Sequence, residues 1–263
     1  MHHTILIRYA EIGIKGKNRS MFENKLVDNI RACLKSQGIT ADIERRFGRI
    51  LVRASAMPDL SKVFGIASYS AAINAGKTLA SLQDAVTPVL PGIKGKTFRV
   101  TCSRLDKQFT LSSNEIARGL GAFVQQQTGA KVSLETFDKE IVVEIIHGAL
   151  YVLTETIAGP GGLPVGIEGT VLALIDSKRA EDAALLLMKR GCTIVALVPE
   201  KRTLTVLPKY ACGIALRIIE AKDIDVIAEK VGAKAVVVGD TLKELNQYET
   251  TLQVLRPLVG GVA

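Results

Sequence analysis

The chain has 263 residues, enough for two domains or for one with appendages. Its composition, 48% hydrophobic and 23% charged, is that of a globular protein. No apolar run reaches the roughly 18 residues of a membrane span, which excludes an integral membrane protein of the helical kind. The formal charge of +8 is uneven: residues 1–165 hold 21 Lys/Arg against 14 Asp/Glu, and residues 166–263 hold 13 against 12. Residues 1–56 alone hold 11 against 5. Positive charge gathered at one end of a chain points to a polyanion as partner.

In chain order, residues 5–8 read as a short strand and residues 13–17 as a basic turn. Across 20–36, Phe22, Leu26, Ile30 and Leu34 recur every four residues, the stripe of an amphipathic helix, and Gly38 ends it. Strands follow at 40–45 and 50–53 around a Phe47-Gly48 turn, then a helix start at 58–64. This βαββα order suggests a small ferredoxin-like module, with residues 69–73 as its fourth strand. A second module opens with a helix at 78–90, a strand at 97–103 and a helix at 113–128 with a Ser/Asn cap and Gly129 at its end. Strands at 132–136, 140–146 and 149–156 complete it, the last two joined by a His147-Gly148 hairpin turn.

Gly159-Pro-Gly-Gly-Leu-Pro-Val-Gly-Ile-Glu-Gly169 then divides the chain. It precedes a strand where a phosphate-binding glycine loop would follow one, and it reads as a rigid link. Beyond it the expected order is strand 171–175, helix 178–190, strand 193–198, helices between 210 and 231, strand 234–238 and helix 241–247. The apolar runs at 171–175 and 235–238 suit parallel strands covered on both faces. The fold expected is α+β for the N-terminal half and a small α/β domain with a mostly parallel sheet after it. The domains are placed at 1–74, 75–165 and 166–263.

The cysteines, Cys33, Cys102, Cys192 and Cys212, lie far apart with no C-x-x-C, which fits neither a zinc site nor a disulfide framework. Two of the three histidines are at the extreme N-terminus and His147 reads as a loop residue, so no metal is expected. The N-terminus has no signal-peptide anatomy, and cytoplasm is the expected location.

Several of these segments resemble one family. Leu6-Ile-Arg-Tyr-Ala-Glu-Ile-Gly-Ile-Lys-Gly-Lys-Asn-Arg19 with Phe22-Glu23 resembles the opening of the tRNA 4-thiouridine synthetases, the thiamine-biosynthesis-type tRNA sulfurtransferases. Residues 98–112 resemble a segment of their THUMP domains, and residues 159–169 are similar to the join that follows it. Leu186-Leu-Met-Lys-Arg-Gly191, Gly239-Asp240 and Leu255-Arg-Pro-Leu258 resemble later landmarks. The resemblance implies a ferredoxin-like domain, a THUMP domain that grips the tRNA acceptor stem, and a PP-loop domain. In the family that last domain uses ATP and magnesium to adenylate a uridine, and a protein persulfide then displaces AMP.

The departures lie in the third domain. Where the family carries Ser-Gly-Gly-Ile-Asp-Ser-Pro, this chain reads Ile175-Asp-Ser-Lys-Arg-Ala-Glu181, with no glycine. A phosphate loop needs glycine so that backbone N–H groups can close on the anion. The candidate nucleotide-binding residues are therefore only Asp176, Ser177, Lys178 and Arg179. The stretch from Val198 to Tyr210 is short by about a βα unit, and Ala215 stands where archaeal-type members have a second cysteine, leaving Cys212 as the candidate persulfide carrier. No rhodanese-like extension is expected.

The RNA-binding candidates are Lys15, Lys17, Asn18 and Arg19 in the first basic turn, Arg45, Arg46 and Arg49 with Arg53 in a second cluster, and Arg99, Arg104, Lys107 and Phe109 in the THUMP segment. The function expected is a tRNA-binding protein, without ATP-dependent adenylation of its own, that could present tRNA to a separate catalytic or sulfur-donor subunit. The alternative is an active sulfurtransferase with an atypical ATP site. A homodimer is the expected assembly, and no membrane partner is expected.

Overall fold

The computed structural model describes residues 3–9, 11–14, 16–46, 48–198, 200 and 202–260, which form two compact units. The first unit takes in residues 1–8, 42–57 and 69–157, and the second residues 9–41, 58–68 and 158–263.

The first unit is built on one eight-stranded sheet. Its strands are β1 (His3–Arg8), β2 (Ala41–Arg46), β3 (Arg49–Ala54), β4 (Ser68–Asn74), β5 (Thr97–Arg104), β6 (Lys131–Val132), β7 (Lys139–Ile146) and β8 (Ala149–Ala158), in the order β2-β3-β1-β4-β8-β7-β5-β6. The first four follow ferredoxin-like order. β1 and β3 are antiparallel, as are β7 and β8, while β5 is parallel to both β6 and β7. His147 and Gly148 both have positive φ, 47° and 70°, the backbone of a tight primed hairpin turn.

Two helices cover the β5–β8 half. Helix α2 (Leu79–Val86) starts at a Thr78/Ser81 capping box and helix α3 (Ser113–Thr128) at a Ser112/Glu115 box. Both bury apolar stripes in a core with Phe98, Leu120, Val143 and Val152. The expected helix at 78–90 is shorter than its pattern suggests. Pro88 lacks the N–H needed to continue it, and the chain proceeds as a 3-10 turn over Thr87–Gly92. The expected strand at 132–136 also shrinks, to Lys131–Val132, with Leu134 69% exposed.

A second apolar cluster joins Leu6 on β1, Leu51 on β3, Ala72 on β4, Ile146 on β7, and Tyr151 and Leu153 on β8. These strands are consecutive neighbours in the sheet, so the cluster runs across them from one to the next. The polar side chains span further and require the sheet to coil. Glu144 on β7 is 3% exposed, and its two oxygens accept from Arg8 Nε on β1 and Arg49 Nε on β3, each at 2.8 Å. β1 and β3 stand three and four strand positions from β7, roughly 14–19 Å away if the sheet were flat.

In the second unit, helix α1 (Arg19–Ser36) buries Phe22, Leu26, Ile30 and Leu34, the predicted stripe. Residues 58–64 are irregular chain with turns at 61–62 and 64, where a helix start was expected. The Asp59 side chain accepts the Ser61 N–H at 2.9 Å, and the Gln37 amide brackets the Asp59 backbone. Local side-chain bonds of this kind compete with helix formation.

The remainder is an all-parallel five-stranded sheet of β9 (Thr170–Leu174), β10 (Thr193–Val198), β11 (Arg217–Glu220), β12 (Ala235–Val237) and β13 (Gln253–Leu255), ordered β11-β10-β9-β12-β13. Helices α4 (Lys178–Lys189), α5 (Leu207–Ala211) and α6 (Ile224–Val231) connect it. The stretch 210–231, expected to be helical, contains β11. An edge strand with only Ile219 half-buried lacks the apolar run that marks β9 and β10. The expected helix at 241–247 is a turn, because the Asp240 carboxylate takes the Asn246 backbone N–H and folds the segment back. Residues 163–168 are pinned to the end of α4. Leu163 N–H donates to the Lys189 carbonyl, and the N–H groups of 166, 167 and 168 all donate to the Gly191 carbonyl. The glycine-rich link is thus fixed by main-chain bonds.

Glu144→Ala should leave two arginines facing a buried void and cost about 3 kcal/mol. Urea denaturation followed by circular dichroism checks this; a midpoint within error of the parent's would mean the clamp is dispensable.

Candidate nucleic-acid interface

Some of the predicted cations lie exposed on the surface and others are held by carboxylates. Lys15 lies outside the described residues. Lys17 and Asn18 are exposed in a 3-10 turn leading directly into α1. Arg19 is half-buried: its Nε donates to Glu23 at 2.8 Å and its Nη2 to the Tyr9 hydroxyl at 2.8 Å, while that hydroxyl donates to Glu23. Burial, then the Glu23 bond, pushes the Tyr9 phenol up to about 12. Arg19 therefore anchors the basic turn.

Arg45 is exposed on β2, Arg46 pairs with Glu44, and Arg53 pairs with Asp42 at 3.2 Å. Arg49 is held in the Glu144 clamp. Arg99 bonds to Glu140 at 2.6 Å and lies 4.1 Å from the Phe137 ring centre. Phe109 is half-buried against the α2–α3 core, so much of the proposed stacking face is covered. Arg104 and Lys107, at and after the end of β5, are exposed and make no ion pair among the described residues. Arg118, exposed on α3, escaped the sequence reading. It lines a groove with Asn114, Gln125, Val132 and Leu134. A lone arginine on a helix carries no sequence signal.

The candidate nucleotide residues sit at the C-terminal edge of the parallel sheet, where β9 and β12 are neighbours and strand order reverses. Ligands of open α/β sheets bind in that crevice. Here several donors already have partners within the chain. Ser177 caps α4 by accepting the Ala180 N–H at 3.2 Å. Arg179 pairs with Glu244, while Asp176 and Lys178 are exposed. A Cβ on Gly239 would stand 2.7 Å from the Ala180 nitrogen, so the end of β12 presses directly on the first turn of α4. Glu181, 3% exposed, accepts the backbone N–H groups of Thr205, Val206 and Leu207, the shortest at 2.7 Å.

The two late landmarks of the sequence also meet at this edge. Asp240, 3% exposed, accepts from Arg256 Nε at 2.9 Å, Tyr248 Oη at 2.7 Å, and both nitrogens of Asn246 at 3.1 Å. Burial opposes the Asp240 charge, but the bonds from Tyr248, Arg256 and Asn246 together outweigh it and hold the carboxyl below the usual range. Among the described residues no cluster of three or more His, Cys, Asp or Glu is placed to hold a metal ion, and no helix is long and apolar enough to cross a membrane.

The ThiI ferredoxin-like domain family matches residues 4–70 and the THUMP domain family residues 77–155. The probable tRNA sulfurtransferase of Thermococcus kodakarensis is 30% identical over 323 aligned positions, covering 99% of this chain and 84% of that protein. The chain belongs to the tRNA sulfurtransferase family. The corresponding protein of Mycoplasmopsis synoviae is 38% identical over 194 positions, 73% of this chain and 50% of that relative, so this match spans only half the relative's length. Among solved structures, PH1313 of Pyrococcus horikoshii superposes with a TM-score of 0.86 at 29% identity, covering 99% of this chain and 95% of that one. A 4-thiouridine synthetase solved with RNA and bound ATP shares the fold with a TM-score of 0.78 at 24% identity, over 98% of this chain and 81% of that one. In this tRNA sulfurtransferase relative the two matched domains supply β1–β4 and β5–β8 of the single coiled sheet.

Asp240 binds a proton less readily folded than unfolded. Its contribution to stability is therefore present above the unfolded value near about 3.9 and lost as the pH falls through the lower folded value. Asp240→Asn should cost about 2 kcal/mol at neutral pH. It should also flatten the fall in stability between about pH 5 and pH 2. Urea midpoints measured across that range check both; parallel curves for parent and variant would contradict the assignment.

Proposed function

We propose that this protein binds tRNA through its ferredoxin-like and THUMP parts, with the acceptor stem as the target, and performs no ATP-dependent adenylation of its own. Membership of the tRNA sulfurtransferase family and the THUMP match support the tRNA half of this reading. So do the exposed cations Lys17, Arg104 and Lys107. In the relative solved with ATP and RNA, both ligands are carried by the same fold.

One observation supports the second half: several backbone donors at the sheet edge are bonded within the chain. Ser177 takes the Ala180 N–H, and Glu181 takes three N–H groups of the α5 entry. A triphosphate would have to displace a carboxylate from a buried nest, with no glycine to open the loop. The alignment with the Thermococcus relative is about 60 positions longer than this chain, in keeping with a shortened third part. The protein would then hold tRNA for a catalytic or sulfur-donor subunit. The alternative is an active enzyme with Cys212 as sulfur carrier. It draws support from the partly exposed Cys212, whose thiol is acidified by the bond from Cys33.

Two measurements test the proposal. Charge reversal of Lys17, Arg104 and Lys107 together should lower the slope of log affinity for tRNA against log salt by about 3, with at least a tenfold loss of affinity at 0.1 M salt, since each phosphate contact contributes roughly one unit of slope. Unchanged affinity would remove these residues from the footprint. Calorimetric titration with magnesium ATP should give no heat of binding at micromolar nucleotide. Saturable, magnesium-dependent micromolar binding would favour the active enzyme.

A further inference from the structure

Cys33 and Cys212 are 179 residues apart in sequence, yet their sulfur atoms stand 2.9 Å apart. That is closer than two non-bonded sulfurs pack, though longer than the ~2.05 Å of a disulfide. Both residues belong to the second unit. Cys33 lies on the inner face of α1, fully buried. Cys212 ends α5 in the left-handed region, φ 48°, and is partly exposed.

The approach is imposed by backbone. A Cβ on Gly213 would lie 2.1 Å from the Ala32 carbonyl oxygen, so the turn after α5 rests directly on the main chain of α1. Gly213 also has φ +82°, which favours glycine. Tyr210, one turn earlier, is stacked on Phe64 with ring centres 5.3 Å apart, and Lys62 lies 5.0 Å from the Tyr210 ring centre. These contacts surround the two thiols and fix the α5 turn beside α1.

The pair is also chemically unequal. Cys33 donates its proton toward Cys212. That bond, then burial, raises the Cys33 thiol well above its usual value. The same bond lowers the Cys212 thiol despite burial, with the Lys62 charge adding to the effect and Asp59 opposing it. The more exposed Cys212 is thus the more acidic of the two, and the buried Cys33 is the donor of the bond between them. The Gln37 amide, 3.2 Å from the Cys33 sulfur, completes the surroundings.

We propose that Cys33 and Cys212 are a reversible dithiol–disulfide pair that staples α1 to the α5 turn when the protein meets a hydroperoxide. The Cys212 thiolate attacks the peroxide, the O–O bond breaks, and the alcohol or water leaves with a proton, making a sulfenic acid. Cys33 sulfur then attacks Cys212 sulfur, the S–S bond forms, and the released hydroxide takes the Cys33 proton as water. Two thiols give up two electrons, which reduce one peroxide. Low-molecular-weight dithiols reverse the bond by exchange. The inference stands apart from the tRNA and ATP readings, since it needs neither ligand.

The full chain, reduced and then treated with hydrogen peroxide, should fall from four alkylatable thiols to two after denaturation. A tryptic digest should yield one linked peptide joining Cys33 to Cys212, abolished by dithiothreitol. In Cys33→Ser, peroxide should instead leave Cys212 carrying added oxygen, trapped by a sulfenic-acid reagent. Four thiols surviving in the parent would overturn the proposal. So would Cys212 oxidised beyond sulfenic acid while Cys33 still alkylates, or a cross-link between chains in place of the internal one.

Discussion

A coiled sheet closed by one buried carboxylate sets the form of the first unit. Glu144 sits on β7 and must meet arginines from β1 and β3, so the ferredoxin-like strands and the THUMP strands cannot move as separate plates. Leu6, Leu51, Ala72 and Tyr151 on the neighbouring strands bury one another, and that apolar burial opposes the cost of desolvating the charges. Arg8 is further tied to the Ser70 hydroxyl at 3.0 Å, and Ser70 to Thr156 at 2.9 Å. The polar network therefore runs through the middle strands of the sheet.

The same saturation of polar groups recurs in the second unit with a different consequence. Among the described residues no buried side-chain nitrogen or oxygen lacks a partner. Glu181, Asp240 and Asp225 each gather several donors, Asp225 from the hydroxyl and backbone of residues 250 and 251. A parallel sheet creates a crescent of donors at its C-terminal edge whatever the sequence. Here the chain's own carboxylates take up several of those donors, Glu181 those of residues 205–207.

The legible parts of the sequence were those with a period or a cap. Helix α1 announced itself through four apolar residues at i+4 spacing, and α3 through a Ser/Asn cap and a terminal glycine. The central parallel strands β9, β10 and β12 read as continuous apolar runs because both faces are covered. Edge strands β11 and β13 bury too little to leave such a trace. The Asx turn at Asp59 and the fold-back at Asp240 were misread as helix because one side chain decides them and propensity does not. For the interface, sequence counted positive charges but could not see their partners. Arg19, Arg49 and Arg99 are committed to Glu23, Glu144 and Glu140, while Lys17 and Lys107 remain on the surface. Nor does spacing reveal that Cys33 meets Cys212.

The missing glycines and the short connection after β10 are best understood as one change. Eight residues separate the end of β10 from the start of α5. So short a crossing leaves the N–H groups of 205–207 beside the first turn of α4, where they must find an acceptor or be buried unsatisfied, at a cost of about 1–3 kcal/mol each. Glu181 provides it from a position one turn into the helix. A phosphate-binding loop at 175–181 would compete for the same donors and, when empty, leave them without a partner. The acidic residue at 181 and the short crossing therefore fit one another: the carboxylate satisfies donors that the crossing brings to the helix.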